Sequence, residues 1–173
     1  GAYLVPGAEI TVEANPDDLD AARLARWRGA GVNRLSLGIQ SLDDDLLRWL
    51  GRRHDAAGAL AAVSAAREAG FDDLSLDFMY GIPNQSPEAW AETLDRAVDL
   101  GAEHLSCYQL TFAPDTPLGR SVEAGEIVPP DDEASRDLFL ATSERLTVAG
   151  YEHYEVSNFA HPGRRSRHNS GYW

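Results

Sequence analysis

Apolar positions along the chain fall into two alternating patterns. Short apolar runs at residues 9–14, 32–40, 74–80, 105–111 and 151–158 read as strands. Between them lie amphipathic stretches with helical spacing, each closing on an apolar residue and a glycine: Ala30-Gly31, Ala69-Gly70, Leu100-Gly101 and Ala149-Gly150. Glycine just past a helix end is the common left-handed cap. Strand and helix therefore alternate, which predicts parallel βαβ units.

The run at 74–80 carries the most information. Leu74, Leu76, Phe78 and Tyr80 share one face, and Ser75, Asp77 and Met79 share the other. Gly81 and Pro83 end the run, Ser86 can cap a helix, and Pro87 suits its first turn. A carboxylate within such a strand is costly unless paired or hydrogen-bonded, so Asp77 needs a partner. A Leu-Ser repeat recurs in Leu35-Ser36-Leu37-Gly38, Leu74-Ser75-Leu76-Asp77 and Leu105-Ser106-Cys107-Tyr108. The apolar members would face outer helices, with Ser36, Ser75 and Ser106 turned inward. Small inward residues low on the strands and polar ones higher up fit a β/α barrel with its site at the C-terminal mouth. Five strands are too few for a closed eight-stranded barrel, so the expected fold is a partial one.

Other segments place further elements. Asn15-Pro16-Asp17-Asp18 reads as the start of the first helix, with Leu24 and Trp27 on its buried stripe. After Gln40 two helical pieces follow, at 41–50 and 55–69; the short one must sit above the strand end and bring Arg52, Arg53 and His54 to the mouth. Residues 112–119 read as a turn-rich loop, and a helix runs from Asp131 to about Ala149 with Leu138, Phe139 and Leu146 as core candidates. The basic tail, 161–173, reads as a loop ending on Tyr172 and Trp173.

Composition narrows the function classes. The 173 residues suffice for one domain with a sizeable core. No apolar run approaches the roughly 20 residues that span a bilayer, and no signal peptide is evident, so a cytoplasmic protein is expected. A net charge of −13 argues against general nucleic-acid or anionic-membrane binding. All 15 basic residues are arginine, which excludes Schiff-base chemistry on a lysine of this chain. The single cysteine, Cys107, forms no disulfide or cysteine cluster within these residues and reads as a small buried hydrophobe. Glycine-rich phosphate loops and a G-x-S-x-G elbow are absent. His153, His161 and His168 with Glu152 or Glu155 could be assembled into a metal set, but they read as solvated tail residues. No metal site is expected in this chain. The acidic runs Asp43-Asp44-Asp45 and Asp131-Asp132-Glu133 sit at helix starts, where capping accounts for them.

Polar residues gather at the predicted strand ends: Glu13, Gln40, Asp77, Tyr108, Gln109 and Thr111, with Arg52 from the loop above. Such a set can bind a ligand carrying ammonium, hydroxyl and carboxylate groups. Arg52 would fork onto the carboxylate, and Glu13 or Asp77 would take the ammonium or ribose hydroxyls. The alternative is an internal network in which Arg52 neutralises Asp77.

Three stretches then carry a family resemblance: Glu13-Ala14-Asn15-Pro16, residues 31–41, and Asp77-Phe78-Met79-Tyr80-Gly81-Ile82-Pro83-Asn84-Gln85. They closely resemble the radical S-adenosylmethionine proteins of the oxygen-independent coproporphyrinogen III oxidase group, in the family's order and over nearly the whole chain. The ending His168-Asn169-Ser170-Gly171-Tyr172-Trp173 matches the H-N-x-x-Y-W pattern of the group's haem chaperones, which its true dehydrogenases lack. The resemblance implies a partial (β/α)6 barrel of the TIM-like type that binds S-adenosylmethionine beside a [4Fe–4S] cluster. It assigns Glu13, Gln40, Arg52 and Asp77 to S-adenosylmethionine, with Thr111 as a further candidate. It assigns His168, Asn169, Tyr172 and Trp173 to haem; for His168 the alternative is a loop residue packing on Tyr172.

The family's C-x-x-x-C-x-x-C motif and its glycine-rich stretch are absent. The chain is therefore expected to begin just before the family's third strand, with the cluster cysteines upstream of Gly1. Residues 1–160 would be barrel and 161–173 a loop leading to a missing C-terminal domain. The implied partners are haem or porphyrin and a haem-acceptor protein. Two functions follow: haem binding and delivery, or radical oxidative decarboxylation by a coproporphyrinogen III dehydrogenase. No catalytic residue is assigned.

Overall fold

The computed structural model describes residues 5–171. Its core is a six-stranded sheet. Strands β1 (Thr11–Ala14), β2 (Arg34–Gln40), β3 (Leu74–Tyr80) and β4 (His104–Gln109) run parallel to their neighbours. The returning helices are α1 (Ala21–Gly29), α3 (Ala56–Glu68) and α4 (Pro87–Asp99). This α/β arrangement is the partial barrel that strand–helix alternation predicts, and the glycines after α1, α3 and α4 all take positive φ, between 62° and 94°.

The two sheet faces divide as the repeat requires. Leu35, Leu37, Leu74, Leu76, Phe78 and Leu105 are fully buried in one cluster with Leu24, Val63 and Trp90 from the helices. Each such side chain contributes about 1.5–3 kcal/mol by leaving water. Tyr80 and Trp90 lie with ring centroids 5.5 Å apart, fixing α4 on β3. Trp90 in turn donates its indole N–H to Thr142 Oγ1 at 2.8 Å, which joins α4 to α6 (Asp132–Val148). Ser86 caps α4 with Pro87 at its first turn, and Asp43 and Asp131 cap α2 (Asp44–Trp49) and α6.

Several segments depart from the sequence reading. Asn15 does not cap a helix: Pro16–Asp18 form one 3-10 turn, and α1 starts later, where Asp20 accepts from Arg23 N at 2.7 Å. The Asn15 side chain is drawn instead to Asp18 and Arg52. The expected fifth parallel strand at 151–158 is two pieces. Strand β5 (Glu152–His153) is followed by a turn, and β6 (Asn158–Ala160) returns between β4 and β5, antiparallel to both. Asn158 drives this insertion in part, because Ser106 of β4 donates to its Oδ1 at 2.7 Å. Strand β4 stops at Gln109, so Thr111 lies in the following loop. That loop contains α5 (Pro117–Glu123), capped by Thr116, and the tail contains one helical turn, α7 (Arg167–Ser170), capped by Ser166. Among the described residues no helix is long and apolar enough to cross a membrane.

Candidate functional site

The inner face of the sheet carries most of the polar strand residues, among them Ser36, Ser75, Asp77 and Ser106. Its centre is Asp77. Ser36 on β2 lies 3.1 and 3.2 Å from the two Asp77 carboxylate oxygens, and Ser75 lies 3.4 Å from Oδ1. The register explains the contact: Ser36 is paired with Ser75, and Asp77 with Ser106 on the next strand. The Leu-Ser repeat thus builds a row of hydroxyls beneath one carboxylate.

Burial pushes the Asp77 pKa up to about 6. Hydrogen bonds from Ser36 and Ser106 oppose that rise, the charge of Glu13 adds to it, and Arg34 opposes it. Glu13 is exposed on β1, in register with Ser36. Arg52 does not neutralise Asp77. Its Nη1 donates instead to Asn15 Oδ1 at 3.2 Å, just past the end of β1. Arg53 reaches Asp17 and Asp18 in the same turn, and His54 is buried with Nε2 3.0 Å from the Ile39 carbonyl. The loop after α2 therefore sits over the strand ends, as the two-piece reading required.

Gln40 owes its position to a bulge. Leu37 pairs with Leu76 but Gln40 with Phe78, so β2 spends three residues against two of β3. Gln40 takes φ +67°, in the left-handed region, and is buried. Its amide folds over Gly38: a Cβ at that glycine would stand 3.0 Å from Gln40 Nε2 and 3.5 Å from Asn15 Oδ1. Gly38 is the floor on which both amides rest.

Gln40 and Arg52 thus stand at the strand ends, Asp77 lies mid-strand on the inner face, and Glu13 is exposed on β1, level with Ser36. Two other candidates stand apart. Gln109 turns to α6, donating to Ser135 Oγ at 3.0 Å, and Thr111 is exposed beyond β4. Tyr108 stays on the inner face, 40% exposed, with its pKa raised chiefly by burial. Asn15 is the member that sequence reasoning missed, because a helix cap explained it too readily.

The base of the face is not lined by small residues alone. Arg34 is 3% exposed, with Nε 3.6 Å from Asp73 Oδ1. His104 is fully buried between Ser75 Oγ, 2.8 Å from Nδ1, and Tyr154 Oη, 2.7 Å from Nε2. Burial and the nearby Arg34 charge lower its pKa to about 3. The tail closes this end: Glu9 accepts from the backbone N–H groups of Arg167 and His168, both at 3.2 Å. His168 is exposed and lines a cleft of about 340 Å³ with Glu9, Thr11 and Glu13. Asn169 is half-buried beside it, while Tyr172 and Trp173 lie outside the described residues. Among the described residues no group of three or more histidine, cysteine, aspartate or glutamate side chains could hold a metal.

A partial (β/α) barrel with polar groups converging at its strand ends defines a class, and sequence comparison supplies the family. Residues 2–97 match the radical SAM superfamily, and the chain belongs to it. The chain is 39% identical over 166 residues to the haem chaperone HemW of Bacillus subtilis and 42% identical over 170 residues to that of Escherichia coli. These alignments cover 96% and 98% of the chain but 44% of each relative, so the chain spans less than half of their length. Among solved structures it is similar to the Escherichia coli radical SAM coproporphyrinogen III oxidase HemN, with a TM-score of 0.79 and 31% identity. That match covers 90% of this chain and 36% of HemN.

Proposed function

We propose that this chain is the S-adenosylmethionine-binding part of a haem chaperone of the HemW type, a cytoplasmic protein that binds haem and passes it to an acceptor protein. The observation that carries the reading is the 39–42% identity, over nearly all of the chain, to proteins of that name. The His168-Asn169-Ser170-Gly171-Tyr172-Trp173 ending supports it.

The strand-end residues fit S-adenosylmethionine. Asp77 offers acceptor oxygens held on serine hydroxyls, and Glu13 adds a second carboxylate. Both suit an ammonium or ribose hydroxyls. Arg52, fixed at Nη1 by Asn15, would direct its remaining donors to the ligand carboxylate. Gln40, held over Gly38, would supply an amide. Thr111, in the loop beyond β4, would make at most a peripheral contact. Bound beside a reduced [4Fe–4S] cluster, S-adenosylmethionine supplies the radical chemistry, while the barrel binds and orients it. Cys107 is buried, so a cluster would take its cysteines from outside these residues. For haem, His168 would offer its imidazole to the iron, with Asn169, Tyr172 and Trp173 as the other residues of the motif that would hold the group.

A second reading is the dehydrogenase, coproporphyrinogen III decarboxylation, favoured by the structural similarity to HemN. Anaerobic reconstitution of the full-length protein separates the two. Stoichiometric haem binding that is lost in His168→Ala, without protoporphyrinogen formation, supports the chaperone. Sustained porphyrinogen turnover would sink it.

A further inference from the structure

We infer that His104 and Tyr154 are positioning residues for Asp77, acting through Ser75 in a one-directional hydrogen-bond chain that starts at the tail turn. The inference rests on the reading of Asp77 as a ligand-binding carboxylate.

Each serine has one hydroxyl hydrogen to give. Ser106 shares its own between Asn158 Oδ1, at 2.7 Å, and Asp77. Ser36 and Ser75 are the hydroxyls that lie within 3.1–3.4 Å of the Asp77 oxygens. Whether Ser75 can donate depends on His104. Ser75 Oγ stands 2.8 Å from His104 Nδ1 and 3.4 Å from Asp77 Oδ1. If Nδ1 were unprotonated, Ser75 would give its hydrogen to the closer imidazole, and Asp77 would lose it. If Nδ1 carries the hydrogen, Ser75 accepts from His104 and donates to Asp77.

Tyr154 decides between the two. Its hydroxyl is 2.7 Å from His104 Nε2. Burial raises the pKa of the phenol, against hydrogen bonds from the Ser166 backbone and the Asn169 side chain. At the other end the carboxylate can only accept, so a Ser75 hydroxyl that donates to Asp77 must itself accept from His104 Nδ1–H. A phenol that accepts from the tail has its own hydrogen free for Nε2. Nε2 is then the acceptor, and a neutral imidazole must carry its hydrogen on Nδ1. The order is therefore tail turn to Tyr154, Tyr154 to His104, His104 to Ser75, and Ser75 to Asp77. The Arg165 guanidinium lies over the Tyr154 ring, 5.3 Å from its centroid. The turn that carries His168 is thus linked to the carboxylate at the centre of the inner face.

The direct test is 15N NMR of the full-length protein labelled at histidine, with the His104 signals identified by their loss in His104→Gln. The chain requires the neutral Nδ1–H tautomer with Nε2 as acceptor. An Nε2–H tautomer overturns it. Affinity for S-adenosylmethionine gives the second arm. Tyr154→Phe is expected to weaken binding several-fold with Asp77→Ala weakening it more than tenfold. Loss in Asp77→Ala with none in Tyr154→Phe defeats the positioning role and leaves the ligand reading standing. No loss in either defeats the ligand reading itself, whatever tautomer the spectra report.

Discussion

Ser36 places one hydroxyl between the two carboxylate oxygens of Asp77, at 3.1 and 3.2 Å, across adjacent parallel strands. This contact orients the acid but does not neutralise it. The nearest compensating charge acting on Asp77 is Arg34 below, and burial outweighs both, so the acid titrates near pH 6.

The first prediction concerns stability against pH. The folded pKa of Asp77, about 6, lies above its ordinary value of 3.8, so its protonated form is the one that folding favours. That contribution is present below about pH 4 and is lost as pH rises through 6. With Glu13 and Arg34 left in place, Asp77→Asn should remove this slope. It should leave the protein more stable at pH 7 by up to about 3 kcal/mol, two units at about 1.4 each. Denaturant titrations from pH 4 to 8 on both proteins measure it; parallel curves would contradict the assigned burial.

His104 should act with the opposite sign. Its pKa is depressed to about 3 by burial and by Arg34, so folding favours the neutral ring. The resulting stability is complete above about pH 6.5 and declines as pH falls toward 3. In His104→Gln the acid limb of the stability profile is expected to flatten, which the same titrations extended to pH 3 would register.

Gln40 separates binding from folding. A non-glycine residue at φ +67° carries backbone strain of about 1–2 kcal/mol. Gln40→Gly relieves that strain while deleting the amide above Gly38. The variant should melt no lower than wild type yet bind S-adenosylmethionine several-fold more weakly. A large fall in melting temperature would mean that the amide supports the fold.

Away from the site, Thr142 satisfies the buried indole N–H of Trp90 and returns its own hydrogen to the Leu138 carbonyl at 2.7 Å. Thr142→Val strands that donor and should cost about 1–3 kcal/mol. Ligand affinity, measured alongside stability, should stay unchanged.

Much of this architecture was legible in the sequence because it rests on local rules. Period-2 alternation separated Leu74, Leu76, Phe78 and Tyr80 from Ser75 and Asp77, and the Leu-Ser repeat aligned the inner hydroxyls across three strands. The break after Gln40 into two helical pieces foretold that Arg52 would stand over the strand ends. What could not be read were choices between competing partners. Asn15 has good capping chemistry, but Arg52, 37 residues away, claims its oxygen. Residues 151–158 have strand composition, yet Asn158 finds Ser106 by turning back, and no periodicity encodes that reversal. His104 gave no signal in the sequence, because its partner Tyr154 lies 50 residues further along.

The account stands most directly on equilibrium binding of S-adenosylmethionine to the anaerobically reconstituted full-length protein. Wild type is compared by calorimetry with Asp77→Ala and Arg52→Ala, with circular dichroism confirming that each remains folded. Loss of a charged hydrogen bond from each site predicts affinities lower by well over tenfold in both variants. Wild-type affinity in both folded variants would contradict the account and return these residues to a purely structural role.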